Sequence, residues 1–188
     1  MEISDQEAVR AAIQDPEAFS AIIDRYRKPV SRYIQRFGAF DADTTKDILQ
    51  ESFIKVYLNL NDYNPSLPFS SWIYRIAHNE AMMHIRYMRN RAHAFASEDA
   101  LTLFASIPDA FDITAESDAR LRSVHVATAL QRLKPEYRET LVLRFFEGKS
   151  YQEISDILEM APGTVATHIA RGKAALEKIL RGMNIAGV

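Results

Sequence analysis

An all-α fold in two small helical domains is what the sequence predicts, and three observations carry it. Apolar residues recur at helical spacing through nearly the whole chain, and no stretch alternates long enough to make a strand. Gly and Pro number only 6 and 7 in 188 residues, and most stand where such helices would start or stop. Residues 97–119, "SEDALTLFASIPDAFDITAESDA", lose the period and carry Glu98, Asp99, Asp109, Asp112, Glu116 and Asp118 without one Lys or Arg. That stretch reads as an acidic linker, with domains at 1–94 and 120–188 on either side of a connection at 95–119.

Taken in order, Ser4 with Glu7 has the spacing of a capping box opening a short helix. Asp15-Pro16-Glu17 is a cap followed by a first-turn proline, which opens a helix to about Phe37, ended by Gly38. The next helix runs from about Asp43 to Leu60. "NDYNPSLPF", residues 61–69, holds two prolines and reads as a loop. Ser70 opens a helix to about Arg91. Beyond the linker, further helices are punctuated at Lys134-Pro135, Gly148 and Pro162-Gly163.

Composition narrows the function. With 47% apolar residues each domain can bury a core. No apolar run approaches ~18 residues, so no membrane span is expected. The start, "MEISDQEAVR", lacks the basic-then-apolar layout of a secretion signal. There is no cysteine, which excludes disulfides and thiolate metal sites and fits a cytoplasmic setting. Net charge is only −2, but the bases are clustered. Arg25, Arg27, Lys28, Arg32 and Arg36 face only Asp24 within 20–38. Arg75, Arg86, Arg89 and Arg91 accompany only Glu80 within 75–91. Arg171, Lys173, Lys178 and Arg181 accompany only Glu177 within 160–181. Two basic regions thus flank an acidic middle, a distribution suited to nucleic acid.

The Pro162-Gly163 break separates a short helix, about Gln152 to Glu159, from a second one. Two short helices joined by a tight turn form a helix-turn-helix, whose second helix can enter a major groove. On that second helix Val165, Ile169, Leu176, Ile179 and Leu180 form a core face. Thr164, Thr167, Arg171 and Lys178, beside the small Ala170 and Ala174, form another. Such a face offers donors with little bulk to base edges and phosphates, although any amphipathic surface helix has a polar face too.

"LQRLKPEYRETLVLRFFEGKSYQEISDIL" and "GTVATHIARGKAAL" then resemble the C-terminal domain of bacterial sigma factors of the extracytoplasmic-function class. Leu133 with Pro135, Glu147 to Ile154, and Gly163 to Val165 carry the likeness. It implies that Thr164, Thr167, His168, Arg171 and Lys173 meet duplex promoter DNA at the −35 element. The pattern is broken where Glu159 replaces the usual turn glycine, where Ala161 replaces the serine cap, and where Ala166 and His168 replace bases. Losing such a cap costs about 1 kcal/mol.

The helix from Asp43 to Leu60 has two apolar faces. Leu49, Phe53, Val56, Tyr57 and Leu60 are expected in the core. Opposite them Ile54 and Leu58 stand among Asp47 and Glu51, which asks for a second partner: a neighbouring helix or another protein. "DILQESFIKVY" resembles the polymerase-binding segment of the same sigma class. The likeness implies that Asp47, Gln50, Glu51, Ile54 and Leu58 bind core RNA polymerase.

On the helix from Ser70 to Arg91, Trp72, Ile76, Met83 and Tyr87 are expected in the core, with Arg75, Arg86, Arg89 and His78 as a basic stripe and Asn79 between. Aromatics beside bases suit single-stranded DNA. "FSSWIYRIAHNEAMMHIRYMRNR" resembles the promoter-melting segment of the class, through Phe69, Trp72, Arg75, Ile76, Ala77, Asn79 and Arg86. Met83 stands where an acid is common. The likeness implies that Tyr63, Arg75, Ile76, Asn79 and Arg86 hold the melted −10 strand, one extruded base lying by Tyr63, Ile76 and Asn79.

Together the resemblances imply a transcription initiation factor that binds core RNA polymerase and promoter DNA, duplex and single-stranded. It needs no cofactor, and an anti-sigma factor is a further partner of the class. A stand-alone helix-turn-helix regulator would explain the C-terminal half alone. Catalysis finds little support: Glu80 and His84 are one helical turn apart near His78 and His93, but three or four converging metal ligands are wanted, and no Gly-rich phosphate loop is present.

Overall fold

The computed structural model describes residues 3–94 and 117–183, with side chains from 3–91 and 124–183. Every regular element among them is helical. The acidic stretch falls mostly outside the described residues.

α1 spans Asp5–Gln14 and opens on the expected capping box, with Ser4 and Glu7 each accepting from the other's backbone N–H. Asp15 caps a 3₁₀ turn, Pro16–Phe19, that leads into α2, Ser20–Gly38. The sequence expectation of one continuous helix here gives way to that turn. Glycine also ends α2 differently from the expectation: the left-handed residue is Ala39, at φ 52°. Gly38 itself makes room for a ring, because a Cβ there would lie 2.0 Å from Phe40.

α3 spans Ala42–Leu58 and is capped by Asp41, whose side chain accepts from the Thr44 N–H at 2.7 Å. A 3₁₀ turn, Leu60–Asp62, and a short loop lead to α4, Phe69–Ala94. α2, α3 and α4 pack together around Tyr33, Phe37, Ile48, Val56, Ile73 and Ala77, all buried. Tyr57, Met83 and Tyr87, expected in this core, are exposed (40%, 48% and 57%). α4 turns Ile73, Tyr74, Ala77 and Ala81 inward instead, since its small residues allow close approach to α2 and α3.

The second domain comprises α5 (Ser117–Gln131), α6 (Pro135–Leu141), a π turn at Val142–Phe146, α7 (Tyr151–Leu158) and α8 (Pro162–Gly182). Gly172 lets α6 approach α8: a Cβ there would sit 3.2 Å from Leu141 and from Tyr137. The two domains share one hydrophobic core, α4 lying against α7 and α2 against the π turn.

Candidate nucleic-acid interface

The helix-turn-helix is built as the break predicts. Ser150 and Glu153 form a capping box that starts α7. α7 ends on Glu159 in the left-handed region, φ 52°. Glycine fits that position without steric penalty; here the turn is braced instead by the Ser155 hydroxyl, which donates to the Met160 carbonyl at 2.6 Å. α8 begins at Pro162 with Ala161 at the cap position and no side-chain cap bond, as the departure from the serine pattern leads one to expect. Its buried face is Val165, Ile169, Gly172 and Leu180.

Thr164, Thr167, Arg171 and Lys173 are exposed on α8. The Thr167 hydroxyl donates to the Gly163 carbonyl at 2.9 Å, and the Lys173 ammonium lies 5.9 Å from the Phe145 ring. His168 stands apart from them. It is half-buried, its ring set edge-on against Tyr137 of α6 at 5.6 Å.

On α4, Arg75, Asn79 and Arg86 recur at helical spacing along one stripe, with Ile76 beside Asn79. Asn79 and Arg86 are exposed, Arg75 and Ile76 half-buried. The exposed Met83 falls on the same stripe one turn beyond Asn79. Tyr63, expected beside the extruded base, has its ring packed against the domain. It is 8% exposed, its hydroxyl donates to the Leu67 carbonyl at 2.6 Å, and its ring meets Phe69 at 5.2 Å and Trp72 at 5.4 Å. Tyr63 therefore fixes the shape of the loop in front of α4.

α3 presents its second face as expected. Asp47, Gln50, Glu51, Ile54 and Leu58 are all exposed, Ile54 by 49% and Leu58 by 68%. On the other side, Lys55 reaches Glu80 of α4 at 2.6 Å, which fixes α3 against the basic helix.

Between the domains lies a polar seam that sequence reasoning missed. Glu147, almost fully buried, accepts from the Tyr74 hydroxyl at 2.7 Å and from Arg36 at 3.2 Å. Arg36 stacks 4.9 Å over Phe146, and Lys149 lies 4.5 Å over the Tyr74 ring. Burial raises the Tyr74 hydroxyl pKa, with the Glu147 charge adding to the shift, so it stays a donor. Nearby, His78 meets the Tyr33 hydroxyl through Nδ1 at 2.9 Å and faces Glu139 of α6 through Nε2 at 3.8 Å. Burial, with the Arg86 charge, pushes His78 down to about 4. Burial, with the Glu136 charge, pushes Glu139 up to about 7. A nominal ion pair is thus mainly a contact between neutral groups in mildly acidic solution. At the rim, Arg75 reaches Glu159 at 3.4 Å.

Known proteins match this arrangement. A family model described as sigma-70 region 2 matches residues 22–91, and one described as sigma-70, region 4 matches residues 124–176. An RNA polymerase sigma-H factor of Pseudomonas aeruginosa is 34% identical over 183 residues, covering 94% of each chain. The ECF RNA polymerase sigma factor SigW of Bacillus subtilis is 32% identical over 176 residues, covering 90% of this chain and 92% of its own. Two solved structures share the fold. CnrH, in complex with the cytosolic domain of CnrY, has a TM-score of 0.69 at 24% identity, over 93% of this chain and 95% of that one. The sigma factor RpoE of Bartonella quintana, in complex with the anti-sigma factor NepR, has a TM-score of 0.67 at 19% identity, over 87% and 96%. With regions 2 and 4 matched in order on α2–α4 and α5–α8, and with relatives alike along nearly their whole lengths, this chain belongs to the extracytoplasmic-function family of sigma factors, which start transcription.

Proposed function

We propose that the three exposed faces divide the work of initiation: α3 binds core RNA polymerase, the stripe on α4 holds the melted −10 strand, and α8 reads the −35 duplex. The observation that carries this reading is the α3 face. Ile54 and Leu58 are exposed among Asp47, Gln50 and Glu51 on a helix whose opposite side already fills the core. An apolar strip ringed by acids suits a protein partner with apolar and basic residues. A stand-alone DNA regulator would have no use for it.

On α4, Arg75 and Arg86 supply cations for phosphates, and Ile76 and Asn79 supply an apolar wall and an amide for one unstacked base. Tyr63 shapes the mouth of that site through its packing. On α8, Thr164, Thr167 and Arg171 face the groove, and Lys173 serves a phosphate. His168, turned toward Tyr137, supports the helix from behind. Work of this kind is binding, done in the cytoplasm where the polymerase is, and it calls for no cofactor or catalysis by the chain itself.

Run-off transcription with core polymerase tests the reading. Ile54→Asp combined with Leu58→Asp should abolish polymerase binding and run-off product while helix content stays near wild type, since neither side chain is in the core. Wild-type binding by that double variant would remove α3 as the polymerase surface.

A further inference from the structure

We infer that Glu159 is an internal competitor for promoter DNA: in the free protein its carboxylate occupies Arg75, so that the turn of one DNA-binding module restrains the other. The inference rests on the reading of Arg75 as a strand-binding residue.

Three observations lead to it. Glu159 takes up a left-handed backbone, φ 52°, where a Cβ is unfavourable and glycine would be easier. Nothing in the turn itself requires a carboxylate there, because the brace across the turn is made by Ser155 and Met160. Yet the carboxylate lies 3.4 Å from Nη1 of Arg75, which belongs to the other domain.

The seam behind this contact fixes its geometry. Glu147, held by Tyr74 and Arg36, sets the second domain against α2 and α4. Gln131 adds a bond from its amide to the Arg36 carbonyl at 3.1 Å. Glu159 is thereby held at the rim, within reach of Arg75. Carboxylate and phosphate oxygens make the same demand on a guanidinium, so Arg75 cannot serve both fully. The Arg75 and Glu159 side chains are 32% and 68% exposed. A pair so open to water is weak, which suits a restraint that DNA displaces on the polymerase.

The test is equilibrium binding of labelled single-stranded DNA of random sequence to the full-length chain. Glu159→Gln removes the charge and keeps the size; Glu159→Gly also relieves the backbone. Both should bind the strand about two- to five-fold tighter than wild type, the scale of one exposed ion pair. Glu177→Gln, which removes a charge remote from Arg75, controls for net charge and should give less. In an Arg75→Ala background the gain from Glu159→Gln should vanish. Wild-type affinity in both Glu159 variants overturns the inference, and so does a gain that persists without Arg75. Promoter opening by holoenzyme carrying Arg75→Ala separates this from the functional reading. Unimpaired opening means that Arg75 does not hold the strand; impaired opening with no gain from Glu159→Gln means that only the competition is wrong.

Discussion

Gly38 and Ala39 illustrate what single residues disclose. The sequence places a glycine at the end of α2, and glycine is the usual left-handed terminator. In the structure the left-handed residue is its neighbour Ala39, while Gly38 yields space to the Phe40 ring. That a helix ends there was legible, but which residue carries the positive φ was not, because it depends on where Phe40 packs. Two opposite outcomes follow. Ala39→Gly should raise stability by roughly 0.5–1 kcal/mol, the relief of Cβ strain less the added freedom of the unfolded chain. Gly38→Ala should lower it by about 1–3 kcal/mol, the range for forcing atoms into a filled site. Urea unfolding of the two variants reads both, and a stabilised Gly38→Ala would show that the Phe40 ring swings away freely.

At the scale of an element, helical period located the long helices among the described residues, but not the 3₁₀ and π turns between them, and it did not always say which face turns inward. On α3 it separated the Ile54/Leu58 face from the core correctly, because acids surround that pair. On α4 it failed. Met83 and Tyr87 have the bulk of core residues, whereas the residues turned inward include Ala77 and Ala81. Close helix approach selects small side chains, and hydrophobicity alone does not rank them first. α8 shows both results. Its polar face was legible, but His168, grouped with the DNA contacts by the resemblance, packs on Tyr137. Arg171→Ala should therefore cost ~1–3 kcal/mol of duplex binding and relax selection at one base pair, the mark of a bidentate base contact. His168→Ala should lower thermal stability and leave base preference unchanged. Binding selection on randomised duplexes, read beside thermal unfolding, distinguishes the two roles; a base preference altered by His168→Ala would return that residue to the groove.

For the whole molecule, the division into two helical domains was legible from the acidic stretch, but their shared core was not. Arg36 and Glu147 lie 111 positions apart, and neither carries a local pattern that names the other. The same holds for His78 and Glu139, whose burial together has a consequence for pH. Tyr33 from α2, His78 and Arg86 from α4, and Glu136 and Arg138 from α6 surround this contact. Glu139 is raised from 4.5 to about 7, so the stability it contributes is fully present below 4.5 and is lost as pH rises through 7. His78 is lowered from 6.5 to about 4, so its contribution is present above 6.5 and is lost as pH falls through 4. Between those windows folding takes up one proton at Glu139 and releases one at His78, and the two slopes cancel. Glu139→Gln, which mimics the neutral acid, removes one slope and exposes the other. Relative to wild type, the variant should lose about 1.4 kcal/mol of stability per pH unit as the solution is acidified across the shared window, the slope for one proton. Urea titrations of both proteins at several pH values within it measure the difference directly. A difference that does not change with pH would mean that Glu139 takes up no proton on folding within this window, and so is not raised by burial.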